Sequence, residues 1–200
     1  MSDLLATLRK SPIIAGVKSV ESARAAFDSG VGVLFFLAGN IFDLREIVHM
    51  RQKSPALVFA HVDLLQGIGK DAWGMRLLAT ELGVDGILTT RSHLTRIAKK
   101  EGLLAIQRIF VLDSEALKTG FSVLRTARPD AVEILPGLIL PHIHQRIPAT
   151  DLPPVIAGGL VETPDEVRAI LKTSALAVST SRESLWSPKL KESLISSPNV

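Results

Sequence analysis

Eight short apolar runs, separated by longer amphipathic stretches, constrain this chain more than any other feature. The runs fall at Ile13–Lys18, Val31–Ala38, Ala56–Val62, Asp85–Thr90, Leu103–Phe110, Asp130–Leu135, Pro154–Gly158 and Leu176–Ser179, and their starts recur every 18 to 29 residues. That spacing suits repeated strand–helix units and is too long for hairpins. Because the runs are almost continuously apolar, they read as strands buried on both faces, as a parallel sheet requires. Helix signals fill the gaps. Ser19 stands as a cap before Val-Glu-Ser, Thr163-Pro164-Asp165-Glu166 combines a cap, a first-turn proline and two acids, and Gly30, Gly83 and Gly102 stand where helices should stop. Eight such units predict an α/β fold, a single TIM-type (β/α)8 barrel, since right-handed crossovers leave little other topology. The runner-up, an open doubly wound sheet, lacks a Gly-x-Gly-x-x-Gly turn after the first strand.

The chain has 200 residues, the lower bound for such a barrel. One barrel domain over residues 1–187 is expected, with a loosely structured tail over 188–200. Hydrophobic residues make up 46% of the chain, yet no run approaches the roughly 18 apolar residues of a membrane helix. Met1-Ser2-Asp3 opens no basic-then-apolar leader, so the expected location is cytoplasmic. With no cysteine there is no disulfide, thiolate metal site or cysteine nucleophile. Twenty-three Lys and Arg against 20 Asp and Glu mildly favour anionic partners. Seven Phe, two Trp and no Tyr leave few rings for stacking bases, so any RNA contact should lean on Lys and Arg.

In a barrel the working groups gather where strands end at their carboxyl side. Polar residues collect there: Lys18, then His61 and Asp63 two apart and so on one side of an extended chain, then Thr89, Thr90 and Arg91. Gln107 and Arg108 interrupt an apolar run, and Glu133 sits between Val132 and Ile134. An ion left without its partner in such an interior costs about 3–5 kcal/mol, so Lys18, Asp63, Arg108 and Glu133 should neutralise one another or a ligand. Each could equally be part of a structural ion network across the mouth. Late in the chain Gly158 and Gly159 end one strand, and Ser179, Thr180 and Ser181 end the next. Glycines admit an anion close to backbone N–H groups, and a short helix from near Ser181 would aim further donors at it, so these five are the candidate phosphate-binding residues. The bland reading is a tight turn and a helix cap. No metal set is evident: His142 and His144 are two apart on a helical stretch and diverge, and His49 and His93 read as solvated.

Read together, several segments resemble the glycerol uptake operon antiterminator regulatory proteins. They are Ser11-Pro12-Ile13-Ile14-Ala15 with Lys18, Phe59-Ala60-His61-Val62-Asp63-Leu64 with Gly67, Asp85 to Thr90, Gln107-Arg108-Ile109-Phe110-Val111-Leu112-Asp113-Ser114, Glu133-Ile134-Leu135-Pro136-Gly137, Ile156 to Leu160, and Val178 to Ser181 with Leu185-Trp186. Gln66 and Arg91 depart from the family pattern. The resemblance implies a sensor without a cofactor, whose effector is glycerol 3-phosphate and whose partner is a leader mRNA for glycerol-use genes. Lys18, His61, Asp63, Gln107, Arg108 and Glu133 would then hold the small phosphorylated polyol. The densest basic stretch, Arg91, Arg96, Lys99 and Lys100, is the candidate RNA surface, although a solvated helix face explains it as well. A homodimer is a further expectation, through an apolar patch left on the outer helices. Two rival functions remain open: a phosphate-binding barrel enzyme using Asp63 and Glu133 on a sugar or polyol phosphate, and a metabolite-binding module acting through a protein.

Overall fold

The computed structural model describes residues 2–51, 54–148 and 152–195. Its strands are β1 (Ile13–Val17), β2 (Val33–Phe36), β3 (Gly39–Asn40), β4 (Leu57–His61), β5 (Leu65–Gln66), β6 (Gly86–Thr89), β7 (Leu104–Phe110), β8 (Ala131–Leu135), β9 (Val155–Gly158) and β10 (Ala175–Thr180). Eight of them close in the order β1-β10-β9-β8-β7-β6-β4-β2, every pairing parallel, which is the TIM-type barrel expected. The short β3 and β5 pair separately, just past the carboxyl ends of β2 and β4.

The helices are α1 (Ser2–Lys10), α2 (Val20–Asp28), α3 (Ile41–Met50), α4 (Ala72–Leu77), α5 (Ser92–Lys100), α6 (Ser114–Ala127), α7 (Leu140–Ile143), α8 (Pro164–Leu171) and α9 (Pro188–Ile195). Ser19 caps α2 and Thr163 caps α8, each in a reciprocal capping box that satisfies end N–H groups. Gly30, Gly83 and Gly102 all adopt positive φ just past a helix, where a side chain would be strained.

Strand alternation sorts the apolar side chains into two layers. Ile14, Val33, Phe35, Phe59, Leu88, Ile106, Ala131, Ile156 and Ala177 fill the barrel, and Leu4 and Leu8 of α1 join that cluster from the amino-terminal end. Ile13, Ala15, Val17, Leu34 and Phe36 face the surrounding helices instead. The barrel is thus packed below, and among the described residues the polar inward-facing side chains Arg108, Glu133 and Ser179 stand toward its carboxyl end.

The chain after Pro188 is not a loose tail through its described part. α9 buries Leu190, and the Lys191 ammonium donates to the carbonyls of Ser29 and Gly30 at 2.6 and 2.8 Å. These are carbonyls left without helical partners at the end of α2, a distant need that local composition cannot display. Burial lowers the Lys191 pKa from the ordinary lysine value. Residues 196–200 of the expected tail lie outside the described residues.

Candidate functional site

Arg108 on β7 and Glu133 on β8 are register partners, and both face into the barrel above the Ile106–Ala131 layer. Arg108 Nε donates to Glu133 Oε2 at 2.5 Å, and Ser179 Oγ of β10 donates to Oε1 at 2.5 Å. Glu133 is buried and Arg108 nearly so, which makes this a desolvated, hydrogen-bonded ion pair. Space for the carboxylate comes from Gly158, where a Cβ would overlap Glu133 and lie 2.6 Å from Ser179 Oγ. The terminal nitrogens of Arg108 have no acceptor among the described residues, so the fixed cation keeps donors to offer.

His61 ends β4 on the same inner side, 4% exposed, with neither ring nitrogen hydrogen-bonded. Burial first, and then the nearby positive charge of Arg108, lower its pKa to about 4, so the ring is neutral at pH 7. An orphaned buried ring of this kind is rare in a finished core, because an unmade hydrogen bond costs about 1–3 kcal/mol.

Asp63 is committed differently. Its Oδ1 accepts from Thr89 Oγ1 at 3.0 Å, and its Oδ2 accepts from Thr90 N at 2.7 Å and Thr90 Oγ1 at 3.0 Å. Burial would raise its pKa, but these donors, with the His61 ring, outweigh that and hold the carboxyl below the ordinary value. Arg91 Nε lies 3.5 Å away. Asp63 therefore ties the end of β4 to the end of β6. Asp63 and Glu133 thus stand in two separate hydrogen-bond networks.

Above the Arg108–Glu133–Ser179 floor opens a cavity of about 370 Å³. Gly159, Leu160 and Ser181 line it, from the loops after β9 and β10. The first loop turns through φ +79° at Gly159 and φ +63° at Leu160, two successive residues in the left-handed region. The N–H groups of Gly159, Leu160 and Ser181 have no protein acceptor among the described residues. Across the opening, Arg182 of the second loop pairs with Glu162 of the first at 2.9 Å. A one-turn 3₁₀ helix, Glu183–Trp186, follows Arg182, slightly later than the helix expected near Ser181.

Several expected site residues stand elsewhere. Gln107 points outward, because its neighbour Arg108 points in; it accepts from Thr95 Oγ1 of α5 and donates to the Thr89 carbonyl, locking barrel to helix. Thr180 still lines the cavity, but its hydroxyl is committed to the Val161 carbonyl, unlike that of inward-facing Ser179. Lys18 lies one residue beyond β1, exposed, so it takes no part in the buried ion network. Gly158 makes room for Glu133 rather than facing the opening. Of the basic stretch, Arg91 stands at the carboxyl end of the barrel, whereas Lys99 reaches the Arg128 carbonyl and Asp130 at the other end. Arg96 and Lys100 are exposed on α5. Sequence reasoning missed Leu37, Leu160, Glu162 and Arg182, which line the cavity. Only Arg182, directly after the Ser-Thr-Ser segment, carried a usable signal. Among the described residues no three His, Asp or Glu side chains gather as a metal set, and no helix is long and apolar enough to cross a membrane.

Comparison with known proteins gives a consistent result. Residues 13–186 match the family model for the glycerol-3-phosphate responsive antiterminator. The crystal structure of the glycerol uptake operon antiterminator regulatory protein from Listeria monocytogenes str. 4b F2365 is 32% identical, with a TM-score of 0.79, covering 87% of this chain and 94% of that one. A glycerol uptake operon antiterminator-related protein from Thermotoga maritima MSB8 is 35% identical with a TM-score of 0.76, covering 88% and 98%. The protein YgcP of Escherichia coli (strain K12) is 32% identical over 183 residues, 92% of this chain and 95% of that protein. More distant barrels, an aldolase at 14% identity and a TM-score of 0.72 among them, share the fold alone.

Proposed function

We propose, from the premise that this chain belongs to the family of glycerol-3-phosphate responsive antiterminators, that its barrel mouth binds glycerol 3-phosphate and that the liganded protein engages a leader mRNA so that transcription of glycerol-use genes continues. One observation carries the reading: a fixed, partly unsatisfied cation, Arg108, shares a cavity of about 370 Å³ with the unbonded N–H groups of Gly159, Leu160 and Ser181. The N–H groups and Arg182 suit the phosphate dianion. Glu133, with lone pairs to spare, Ser179 and the neutral ring of His61 suit the hydroxyl groups.

Coupling to the transcript follows if the phosphate competes with Glu162 for Arg182. The two loops would then repack, and the ligand would favour whichever arrangement lets Arg182 reach it. Isothermal titration with glycerol 3-phosphate, glycerol and inorganic phosphate tests the first half. Binding of the phosphoester well above either fragment, with no product by mass spectrometry, is the expected result; turnover would replace the sensor by an enzyme. Gel shifts with leader RNA, with and without glycerol 3-phosphate, test the second half. RNA binding indifferent to the ligand would refute the coupling.

A further inference from the structure

Among the described residues seven large apolar side chains are exposed, and six of them share one end of the molecule. Phe42 and Trp73 stand in the first turns of α3 and α4, and Leu64, Phe110, Leu112 and Leu160 stand at or just after strand carboxyl ends. Of the chain's nine aromatic residues, the three exposed ones are Phe42 (70%), Trp73 (74%) and Phe110 (52%), and all three are on this rim. Exposed rings confined to one end are a surface with a purpose, because single exposed apolar residues are otherwise scattered.

Cations accompany the rings. The Arg76 guanidinium carbon lies 5.3 Å from the Trp73 ring centre while its Nε donates to Glu101 at 3.0 Å, and the guanidinium carbon of Arg108 lies 6.0 Å from the Phe110 ring centre. Lys18 is exposed on the rim, Arg91 is half-exposed there beside its ion-pair partner Asp63 at 3.5 Å, and Lys70 donates to the backbone carbonyl of Asp63 rather than to a carboxylate. The neighbouring acids are drawn inward: Asp63 to Thr89 and Thr90, Asp71 to the Gly74 N–H, and Asp43 to Asn40. Rings interleaved with cations, Lys18 and Lys70 without a carboxylate partner among the described residues, are what unpaired nucleotides require, since bases stack on π faces while phosphates seek Lys and Arg. The α5 stretch offers cations without rings, with Lys99 already paired at the far end.

We infer that the transcript docks across the barrel mouth as unpaired nucleotides, stacking on Phe42 and Trp73 with Lys18, Lys70 and Arg91 on its phosphates. This rests on the antiterminator reading and gives that reading a physical switch. Leu160 belongs both to the rim and to the cavity wall, and Arg108 touches both Phe110 and Glu133, so a ligand in the cavity reshapes the surface that RNA would cover.

The test uses the full chain with saturating glycerol 3-phosphate and a randomised 30-nucleotide RNA pool containing 4-thiouridine, enriched on the unmutated protein. Trp73→Ala and Phe42→Ala should each weaken binding of the enriched RNA by about 5- to 150-fold, the worth of one stacked base, with glycerol 3-phosphate affinity unchanged. Photocrosslinks should map to residues 42, 64–76 and 110. Crosslinks on residues 96–100, or affinity within twofold for the double variant, overturn the rim and leave the antiterminator reading standing. A change of oligomeric state in the double variant with RNA affinity intact identifies the rim as a protein interface and also overturns the inference. A pool that yields no RNA-binding species at all, with the ligand bound, overturns the antiterminator reading itself.

Discussion

Replacing Glu133 by alanine strands Arg108 in the barrel without its only carboxylate partner among the described residues. The pair is 13% and 1% exposed, so little solvent reaches the orphaned cation. Breaking such a pair costs about 3–5 kcal/mol, because the remaining charge keeps its desolvation penalty without compensation. For a domain of this size each kcal/mol lowers the melting temperature by about 2–4 °C, which gives a fall of about 6–20 °C. The double variant Arg108→Met/Glu133→Leu removes both charges and should recover most of that stability, since well-packed apolar replacements of buried pairs are often neutral. It should not recover function: with the cation gone, glycerol 3-phosphate binding should be undetectable by titration calorimetry. Denaturant unfolding supplies the stability values, and calorimetry on the same samples supplies the affinities. A loss below about 1 kcal/mol for Glu133→Ala would mean that the pair is solvated. A double variant that still bound the phosphoester tightly would remove Arg108 from the site.

Three further outcomes are expected. The His61 ring is protonated only below about 4 in the folded protein but below 6.5 when unfolded, so the unfolded state binds more protons between those values. Stability should therefore decline as pH falls through that window, by on the order of 3 kcal/mol in all, and His61→Leu should flatten this part of the profile in pH-dependent denaturant melts. Gly159→Ala forces a side chain into φ +79°, which should cost about 1–2 kcal/mol of stability and weaken glycerol 3-phosphate binding; an unchanged affinity by calorimetry would place the phosphate elsewhere. Lys191→Met should lower stability by about 1–3 kcal/mol by stranding the Ser29 and Gly30 carbonyls, and faster hydrogen exchange at the end of α2 would locate the effect.

Strand positions were legible because barrel strands must be apolar on both faces, and helix stops were legible because Gly30, Gly83 and Gly102 occupy backbone conformations few other residues accept. The site was legible as a composition of strand ends, less so as a geometry. Gln107 and Arg108 are both polar and adjacent, so one must face out. The period of two, started from the inward Ile106, assigns Arg108 to the mouth and Gln107 to α5. The pairing of Glu162 with Arg182 and the cradle that Gly158 provides for Glu133 depend on two loops and three strands meeting in space. No local pattern encodes that meeting. The exposed rings were hidden for a related reason: a count of nine aromatics reads as scarcity until three of them share one rim.

Co-crystallisation with glycerol 3-phosphate tests the central claim most directly. The phosphate should sit within hydrogen-bonding reach of the Gly159, Leu160 and Ser181 N–H groups, its glycerol end toward Glu133 and His61, with Arg182 turned from Glu162 to the ligand. Density for the phosphoester on another face, with the mouth filled only by water at saturating ligand, would contradict the account.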